Sequence, residues 1–396
     1  MIPVVTGIRM TGAAHRAELP LLILGPSLGT SASDLWTACA DHLTSAFDVL
    51  AWDLPGHGRN VAVPEETFTI AELAEGVLTL VGDVQEQRGD LGTPFAYAGV
   101  SVGGCVGLQL MLDHADRVTA AAVICSGARI GDVGTWAERI GRVTASGTAV
   151  LVSLTADVWF AHGFFEREPD RGAALLHALH VADDTGYVQV CQALAHFDVR
   201  DRLSGIAQPV LAIAGAEDHV TPPDVLRELA EGVQDGRLVV LGDTAHMAPA
   251  ERPAEVAGLL IEHFLGEQAG VALPPSHETG LSVRREVLGD EHVDRSLAEA
   301  TDLTRDFQDF ITTYAWGGIW TRPGLDRRSR SMITLTALVA GGHQEELALH
   351  LRAARRNGLE WEEIRELLLQ TAVYCGVPAA NAAFRIAQQV QDEESA

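Results

Sequence analysis

The chain has 396 residues, 47% of them hydrophobic and 21% charged, enough for two domains that each bury a core. A formal net charge of −26 repels nucleic acid, anionic membrane and acidic ligands alike, so an anionic substrate needs a local cluster of arginines. The sequence contains no lysine, which excludes Schiff-base chemistry, pyridoxal phosphate attachment and a Walker-type phosphate loop. No apolar run reaches the roughly 18 residues of a membrane span and no signal-peptide pattern opens the chain, so a soluble, cytoplasmic protein is expected. Cys39, Cys105, Cys125, Cys191 and Cys375 are scattered and never spaced Cys-x-x-Cys, which argues against a disulfide framework, a zinc knuckle or a dithiol redox site.

From residue 21 to 118, strand-like apolar runs (21–24, 49–52, 95–98) alternate with helical patterns, and 120–124 adds another strand. This alternation predicts a mostly parallel sheet with helices on both faces. Gly99-Val100-Ser101-Val102-Gly103 follows one of these runs and opens a helical stretch over 104–114. A small-x-Ser-x-small turn between strand and helix strains the serine backbone and lifts Oγ clear of the sheet, which singles out Ser101 as a nucleophile. The alternation breaks over about 127–203, a helical stretch with Trp136, Trp159, Phe160, Phe164 and Phe165 that reads as a cap over the strand ends. It resumes with strands at 210–214 and 238–241.

A serine is a poor nucleophile until a histidine takes its proton and a carboxylate orients that histidine. The two later strands end in Gly215-Ala216-Glu217-Asp218 and Gly242-Asp243-Thr244-Ala245-His246, giving the order Ser101, Asp218, His246. Glu217 and Asp243 are rivals for the acid, and His57 for the base.

These residues carry a resemblance. Residues 21–264 resemble an α/β hydrolase, and specifically a 3-oxoadipate enol-lactonase. The matching words are Ser27-Leu28-Gly29-Thr30, Asp53-Leu54-Pro55-Gly56-His57-Gly58, the serine elbow, Ser126-Gly127-Ala128-Arg129-Ile130-Gly131, and His246 followed by Glu251-Arg252-Pro253. The resemblance implies an oxyanion hole built from the backbone N–H groups of Leu28 and Val102, and a hydrolysis without metal or cofactor. The family's usual Ser-Met-Gly-Gly reads Ser101-Val102-Gly103-Gly104 here. The substrate's free carboxylate would pair with Arg129, Arg139 or Arg142 in the cap, with Trp136 as a pocket wall; each is equally readable as a solvated or packing side chain. A general esterase or a cofactor-free perhydrolase would use the same three catalytic residues.

The first domain is therefore expected over 1–266, followed by an aperiodic Gly/Pro-rich linker at 267–280 and an all-α domain over 281–396. Helical periods run over 291–313, 329–341, 345–357, 361–374 and 378–390. Glu346 and His350, four residues apart, share a helix face with Arg352 nearby, either as an exposed ion pair or as a proton-transfer pair. A carboxylate beside an imidazole is expected to raise the imidazole pKa. Metal ligation would need a third ligand that no motif supplies.

Residues 278–396 resemble 4-carboxymuconolactone decarboxylase. The resemblance rests on Arg285-Glu286-Val287-Leu288-Gly289-Asp290, Ala315-Trp316-Gly317-Gly318-Ile319-Trp320-Thr321-Arg322-Pro323-Gly324-Leu325, Leu349-His350-Leu351-Arg352-Ala353-Ala354 and Tyr374-Cys375-Gly376-Val377-Pro378-Ala379-Ala380-Asn381. In the wider alkylhydroperoxidase-like superfamily a Cys-x-x-Cys-x-x-x-His helix carries thiol chemistry, but here the cysteine places hold His343 and Glu346. The resemblance implies His350 as proton donor oriented by Glu346, with Arg322, Arg327, Arg328 and Arg330 as candidate carboxylate or oxyanion partners. A fusion of the two activities would act on small lactone carboxylates, with the helical domain expected to form a homo-oligomer. A non-catalytic oligomerisation module is the rival reading of that domain.

Overall fold

The computed structural model describes residues 1–10, 16–266, 277–322 and 324–395. The chain divides into two compact units, Met1–Gly266 and Glu267–Ala396.

In the first unit, β1 (Thr6–Arg9), β2 (Leu21–Gly25), β3 (Asp48–Asp53), β4 (Phe95–Val100), β5 (Val118–Ile124), β6 (Val210–Gly215) and β7 (Gly236–Leu241) form one sheet in the order β1-β3-β2-β4-β5-β6-β7. β1 runs antiparallel to β3, and every other pair is parallel. Strands β2, β3, β4 and β6 are buried at every position, as a parallel sheet covered on both faces requires. Helices α1 (Ala32–Leu43), α2 (Ile70–Arg88) and α3 (Val102–Asp113) each follow a strand. Between β5 and β6 lie α4 (Val133–Ser146), α5 (Val152–Trp159), α6 (Phe164–Arg167), α7 (Pro169–Val181) and α8 (Asp184–Ala195), in the stretch read as a cap. Its aromatic residues pack together: Phe160 stacks on Phe164 at 4.7 Å and meets Phe165 edge-on at 5.1 Å. The unit closes with α9 (Pro223–Gly232), α10 (Ala248–Glu251) and α11 (Pro253–Leu265). Strand β1 is the element that sequence patterning passes over, because its four residues are only half-buried and show no alternation. Cys39, Cys105, Cys125 and Cys191 are buried, and burial pushes their thiols up, leaving them inert.

The second unit is helical: α12 (His277–Leu288), α13 (Asp290–Ala298), α14 (Arg305–Phe310), a π-helix (Ile311–Ile319), α15 (Arg327–Gly341), α16 (Gln344–Arg356), α17 (Trp361–Tyr374) and α18 (Val377–Ser395). One core gathers Leu335, Val339, Leu347, Leu351, Ile364, Leu368 and Val390 from α15 to α18. A second gathers Val283, Val287, Val293, Trp316 and Ala353 from α12, α13, the π-helix and α16. Two expectations need correction. The single helix read over 291–313 is three segments, α13, α14 and the start of the π-helix, because the break at Thr301–Thr304 closes on its own side chains. Of the linker read at 267–280, residues 267–276 lie outside the described ones, and 277–280 belong to α12. Position 280 of that helix needs a glycine, because its bare Cα sits against the Thr312 carbonyl, where a Cβ would not fit.

Candidate active sites

Ser101 stands between β4 and α3 at φ 54°, ψ −118°, a conformation that L residues rarely adopt. Two glycines permit this turn. A Cβ on Gly99 would strike the Gly103 carbonyl, and one on Gly103 would stand 2.7 Å from the Gly25 carbonyl carbon and the Pro26 oxygen. The elbow is then anchored: the Ser101 amide donates to Ile124 O at 3.0 Å, and Ser126 Oγ donates to the Ser101 carbonyl at 2.6 Å. Gly103 N donates to Pro26 O at 3.0 Å and ties the elbow to the loop that carries Leu28. That loop is closed by Thr30, whose amide and hydroxyl both reach Ser27 O. Leu28 and Val102 are buried on either side of this junction, and Val102, the first residue of α3, has its amide outside the helical hydrogen-bond ladder. Non-glycine residues with positive φ, among the described residues, are Ser101, Cys125 (43°) and Asp243 (45°), at the carboxyl ends of β4, β5 and β7. Backbone strain thus concentrates along one edge of the sheet, the place where α/β folds position chemistry.

Asp218 and His246 lie beyond the carboxyl ends of β6 and β7, on the same sheet edge as Ser101. His246 Nδ1 donates to Asp218 Oδ2 at 2.9 Å, with both side chains buried. Asp218 also accepts from Val220 N (2.8 Å), Thr221 N (3.1 Å) and Thr221 Oγ1 (2.7 Å). Burial works to raise the Asp218 carboxyl, but the His246 ring and the Thr221 donors outweigh it and hold the group below its ordinary value. The carboxylate is therefore held toward its charged form and engages His246 through Nδ1, which fixes that nitrogen as the one carrying the proton.

The rivals occupy other roles. Glu217 accepts the His162 amide at 2.9 Å, and Asp243 pairs with Arg252 at 3.1 Å. His57 gives Nδ1 to the Pro55 carbonyl at 2.8 Å, stacks on Tyr187, and is pushed down to about 4 by burial. Glu251, in the Glu251-Arg252-Pro253 stretch after His246, holds the histidine loop. Its carboxylate accepts Ala245 N (2.9 Å) and Met247 N (3.3 Å) on either side of His246, and Ala161 N (2.8 Å) from the cap.

A cavity of about 470 Å³ under the cap is lined by Trp136, Arg139, Arg142, Thr155 and Val158 together with His219 and Val220, the neighbours of Asp218. Trp136 is fixed as a wall by donating Nε1 to the Ile130 carbonyl at 2.7 Å. Arg142 is already paired with Glu138, which also lines the cavity, at 2.6 Å, whereas Arg139 lies over the Tyr187 ring at 5.9 Å with its buried Nε unpartnered. Arg129 does not join Trp136 at this cavity's lining; it faces a separate cavity of about 290 Å³ with Asp132, Arg200 and Glu228.

In the helical unit, Glu346 and His350 stand one turn apart on α16, Glu346 exposed and His350 half-buried. The expected rise in the His350 pKa is not found. Burial lowers it, His292 lowers it further, and the opposing Glu346 carboxylate does not compensate. Burial and His292 thus make protonated His350 a stronger acid than an isolated imidazolium, against the opposing pull of the Glu346 carboxylate. Arg327 pairs with Glu286, and Arg328 with Glu363 and the Gly358 carbonyl, so both are structural clamps. Arg330 braces the turn before α15 through the Leu325 (3.1 Å) and Arg322 (2.6 Å) carbonyls, and Arg322 is exposed. Among the described residues no group of three or more His, Cys, Asp or Glu is placed to hold a metal ion, and no helix is long and apolar enough to cross a membrane.

A seven-stranded, mostly parallel sheet with a serine elbow and a carboxylate-paired histidine on its carboxyl edge defines an α/β hydrolase. The chain belongs to that family, matching the alpha/beta hydrolase fold over residues 20–253, and carries in addition a domain of the carboxymuconolactone decarboxylase family over residues 305–389. The first unit is 32% identical over 238 residues to 3-oxoadipate enol-lactonase 2 of Acinetobacter baylyi, covering 60% of this chain and 86% of that one. The second is 48% identical over 114 residues to 4-carboxymuconolactone decarboxylase of the same organism, covering 29% of this chain and 85% of that one. Among solved structures, the enol-lactonase from Burkholderia xenovorans superposes with a TM-score of 0.61 at 29% identity, covering 66% of this chain and 96% of that one.

Proposed function

We propose that this chain is a bifunctional enzyme that converts 4-carboxymuconolactone to 3-oxoadipate in two steps, one per unit. One observation carries the reading: the two units resemble enzymes whose reactions are consecutive, the lactone released by one being the lactone opened by the other.

In the helical unit the departing carboxylate sits γ to an unsaturated lactone carbonyl. As the carbon–carboxylate bond breaks, its electron pair delocalises into that carbonyl as a dienolate, so the substrate is its own electron sink. His350 then delivers a proton to carbon, with Glu346 beside it, and the enol lactone and carbon dioxide leave. In the first unit Ser101 Oγ attacks the lactone carbonyl while His246 takes its proton and Asp218 steadies the imidazolium. The N–H groups of Leu28 and Val102 hold the tetrahedral oxyanion. The ring opens by loss of an enolate, which becomes the 3-oxo group, and water activated by His246 frees Ser101. Arg139, which has the unpartnered Nε in the cap cavity beside Trp136, is the better placed partner for the lactone's free carboxylate than Arg129. The helical unit exposes Phe307, Phe310, Tyr314, Val373 and Tyr374, apolar surface that suits assembly with further copies of the chain.

The test is to supply the purified chain with 4-carboxymuconolactone and follow carbon dioxide and 3-oxoadipate together. Both appear with the wild type, and Ser101→Ala stops at the enol lactone. A wild-type chain that releases neither product, or a folded Ser101→Ala chain that still makes 3-oxoadipate, overturns the reading.

A further inference from the structure

Arg284 on α12 is a buried cation without a counter-ion. The residue is 4% exposed, its Nη1 donates to Thr312 Oγ1 at 3.0 Å, and its buried Nε has no partner. No carboxylate pairs with it among the described residues, in a chain that has 54 acidic residues against 28 arginines. Its neighbour Arg285, by contrast, is paired with both Asp290 and Asp294. Burying an unpaired charge is among the most unfavourable things a fold can do, so a site that keeps one is arranged for an anion that arrives later.

The surroundings point to the same ligand. Thr312 belongs to the π-helix, a rare conformation that concentrates at functional sites, and its backbone meets the bare Cα of Gly280 so that α12 and the π-helix approach closely. Thr312 occupies Nη1 and leaves the Nε–Nη2 edge of the guanidinium, the edge that fits a carboxylate side-on. Val283 and Val287 of α12, Val293 of α13, and Leu349 and Ala353 of α16 pack in one core, so the helices that carry Arg284, His292 and His350 meet, and the Arg284 charge helps hold the His292 pKa down.

We propose that Arg284, steadied by Thr312, binds the carboxylate that the lactone retains through decarboxylation. This rests on the reading of the helical unit as a carboxymuconolactone decarboxylase. The departing carboxylate is the poorer partner: a guanidinium clamped on it would stabilise the reactant and be lost as charge moves into the dienolate, which opposes the reaction. A retained carboxylate keeps its charge throughout, and its capture positions the ring against His350.

The test compares wild-type, Arg284→Gln and Arg284→Lys full-length chains. Arg284→Gln raises KM for 4-carboxymuconolactone about 10- to 100-fold, as loss of a charge-assisted pair does, with kcat little changed. It leaves enol-lactone hydrolysis intact and does not lower the melting temperature, since an unpaired buried charge has been removed. Arg284→Lys restores only part of the KM, having the charge without the planar fork. An unchanged KM, a fall in kcat alone, or a lowered melting temperature with both activities reduced overturns the assignment. Thermal protection by maleate, an unreactive dicarboxylate, separates this from the parent reading. Protection lost in Arg284→Gln, in a wild type that releases no carbon dioxide, supports the anion site and removes the decarboxylase. Equal protection of both chains overturns the site.

Discussion

Glu251 touches no substrate in the proposed reactions, yet three backbone N–H groups from two segments converge on it. Glu251→Ala leaves those donors buried without acceptors, at about 1–3 kcal/mol each, and frees the loop that carries His246. The expected outcome is a loss of about 3 kcal/mol or more in unfolding free energy by denaturant titration, with kcat for the enol lactone falling and carbon dioxide release spared. Glu251→Gln keeps one acceptor oxygen and the shape, and retains most of the activity. The pH dependence has a definite sign. Burial pushes the Glu251 carboxyl up to about 7 from 4.5, so between those values the folded state holds a proton that the unfolded state has lost. Stability from this residue is full below about pH 4.5 and declines as pH rises to 7, by about 3 kcal/mol in all. His57, pushed down to about 4 by burial, works in reverse: its neutral ring destabilises the fold as pH falls from 6.5 to 4. The two windows offset in the wild type, and Glu251→Gln removes one of them. Melting temperatures between pH 5 and pH 7.5 should therefore rise more steeply with pH in Glu251→Gln than in the wild type, and parallel curves would refute the Glu251 assignment.

At the scale of elements, the serine elbow works because β4, α3 and the β2–α1 loop meet within hydrogen-bond distance through glycines. Gly103→Ala tests this junction. Its Cβ would stand 2.7 Å from backbone atoms of Gly25 and Pro26, which cannot swing aside as a side chain can. The loop must retreat, taking the Leu28 amide from the Val102 amide, and loss of one oxyanion donor costs about 10²–10³ in kcat. Steady-state hydrolysis of the enol lactone should show that fall with KM little changed, while unaltered kcat would mean that Leu28 does not contribute. The same junction explains why so much of this unit was legible: Gly-x-Ser-x-Gly, Asp218 and His246 each follow an apolar run, and strand ends in a parallel sheet fall on one edge. The histidine loop's support was not legible, because three backbone amides leave no residue signature. In the helical unit, α12 was obscured by the Gly/Pro-rich stretch before it, and the direction of the His350 shift depends on burial that spacing does not encode. Arg284 left a usable signal. It shares a stripe with Gly280, Val283, Val287 and Leu288, the helical phase that turns inward, whereas Arg285 falls outside it.

For the molecule as a whole, the groups proposed for each reaction come from a single unit: Ser101, Asp218 and His246 within Met1–Gly266, Glu346 and His350 within Glu267–Ala396. Two separately disabled chains should then complement each other. Equal amounts of Ser101→Ala and His350→Ala chains, one releasing carbon dioxide and the other opening the ring, convert 4-carboxymuconolactone fully to 3-oxoadipate. The intermediate that passes between them is an anion, and electrostatic guidance along a surface would need a continuous positive path. The chain's net charge of −26 offers an anion no long-range attraction, and Arg285, Arg327, Arg328, Arg352 and Arg355 of the helical unit are each already paired with carboxylates. Released enol lactone is therefore expected to reach bulk solution before it is hydrolysed. Stopped-flow traces should show a lag in 3-oxoadipate formation that is the same for the wild type as for the mixture at equal concentrations of each working site. The lag shortens as enzyme concentration rises, because it reflects the build-up of a free intermediate toward the hydrolase KM. A wild-type lag shorter than that of the mixture would mean direct transfer within one chain, and a mixture unable to form 3-oxoadipate would mean that each site depends on the other.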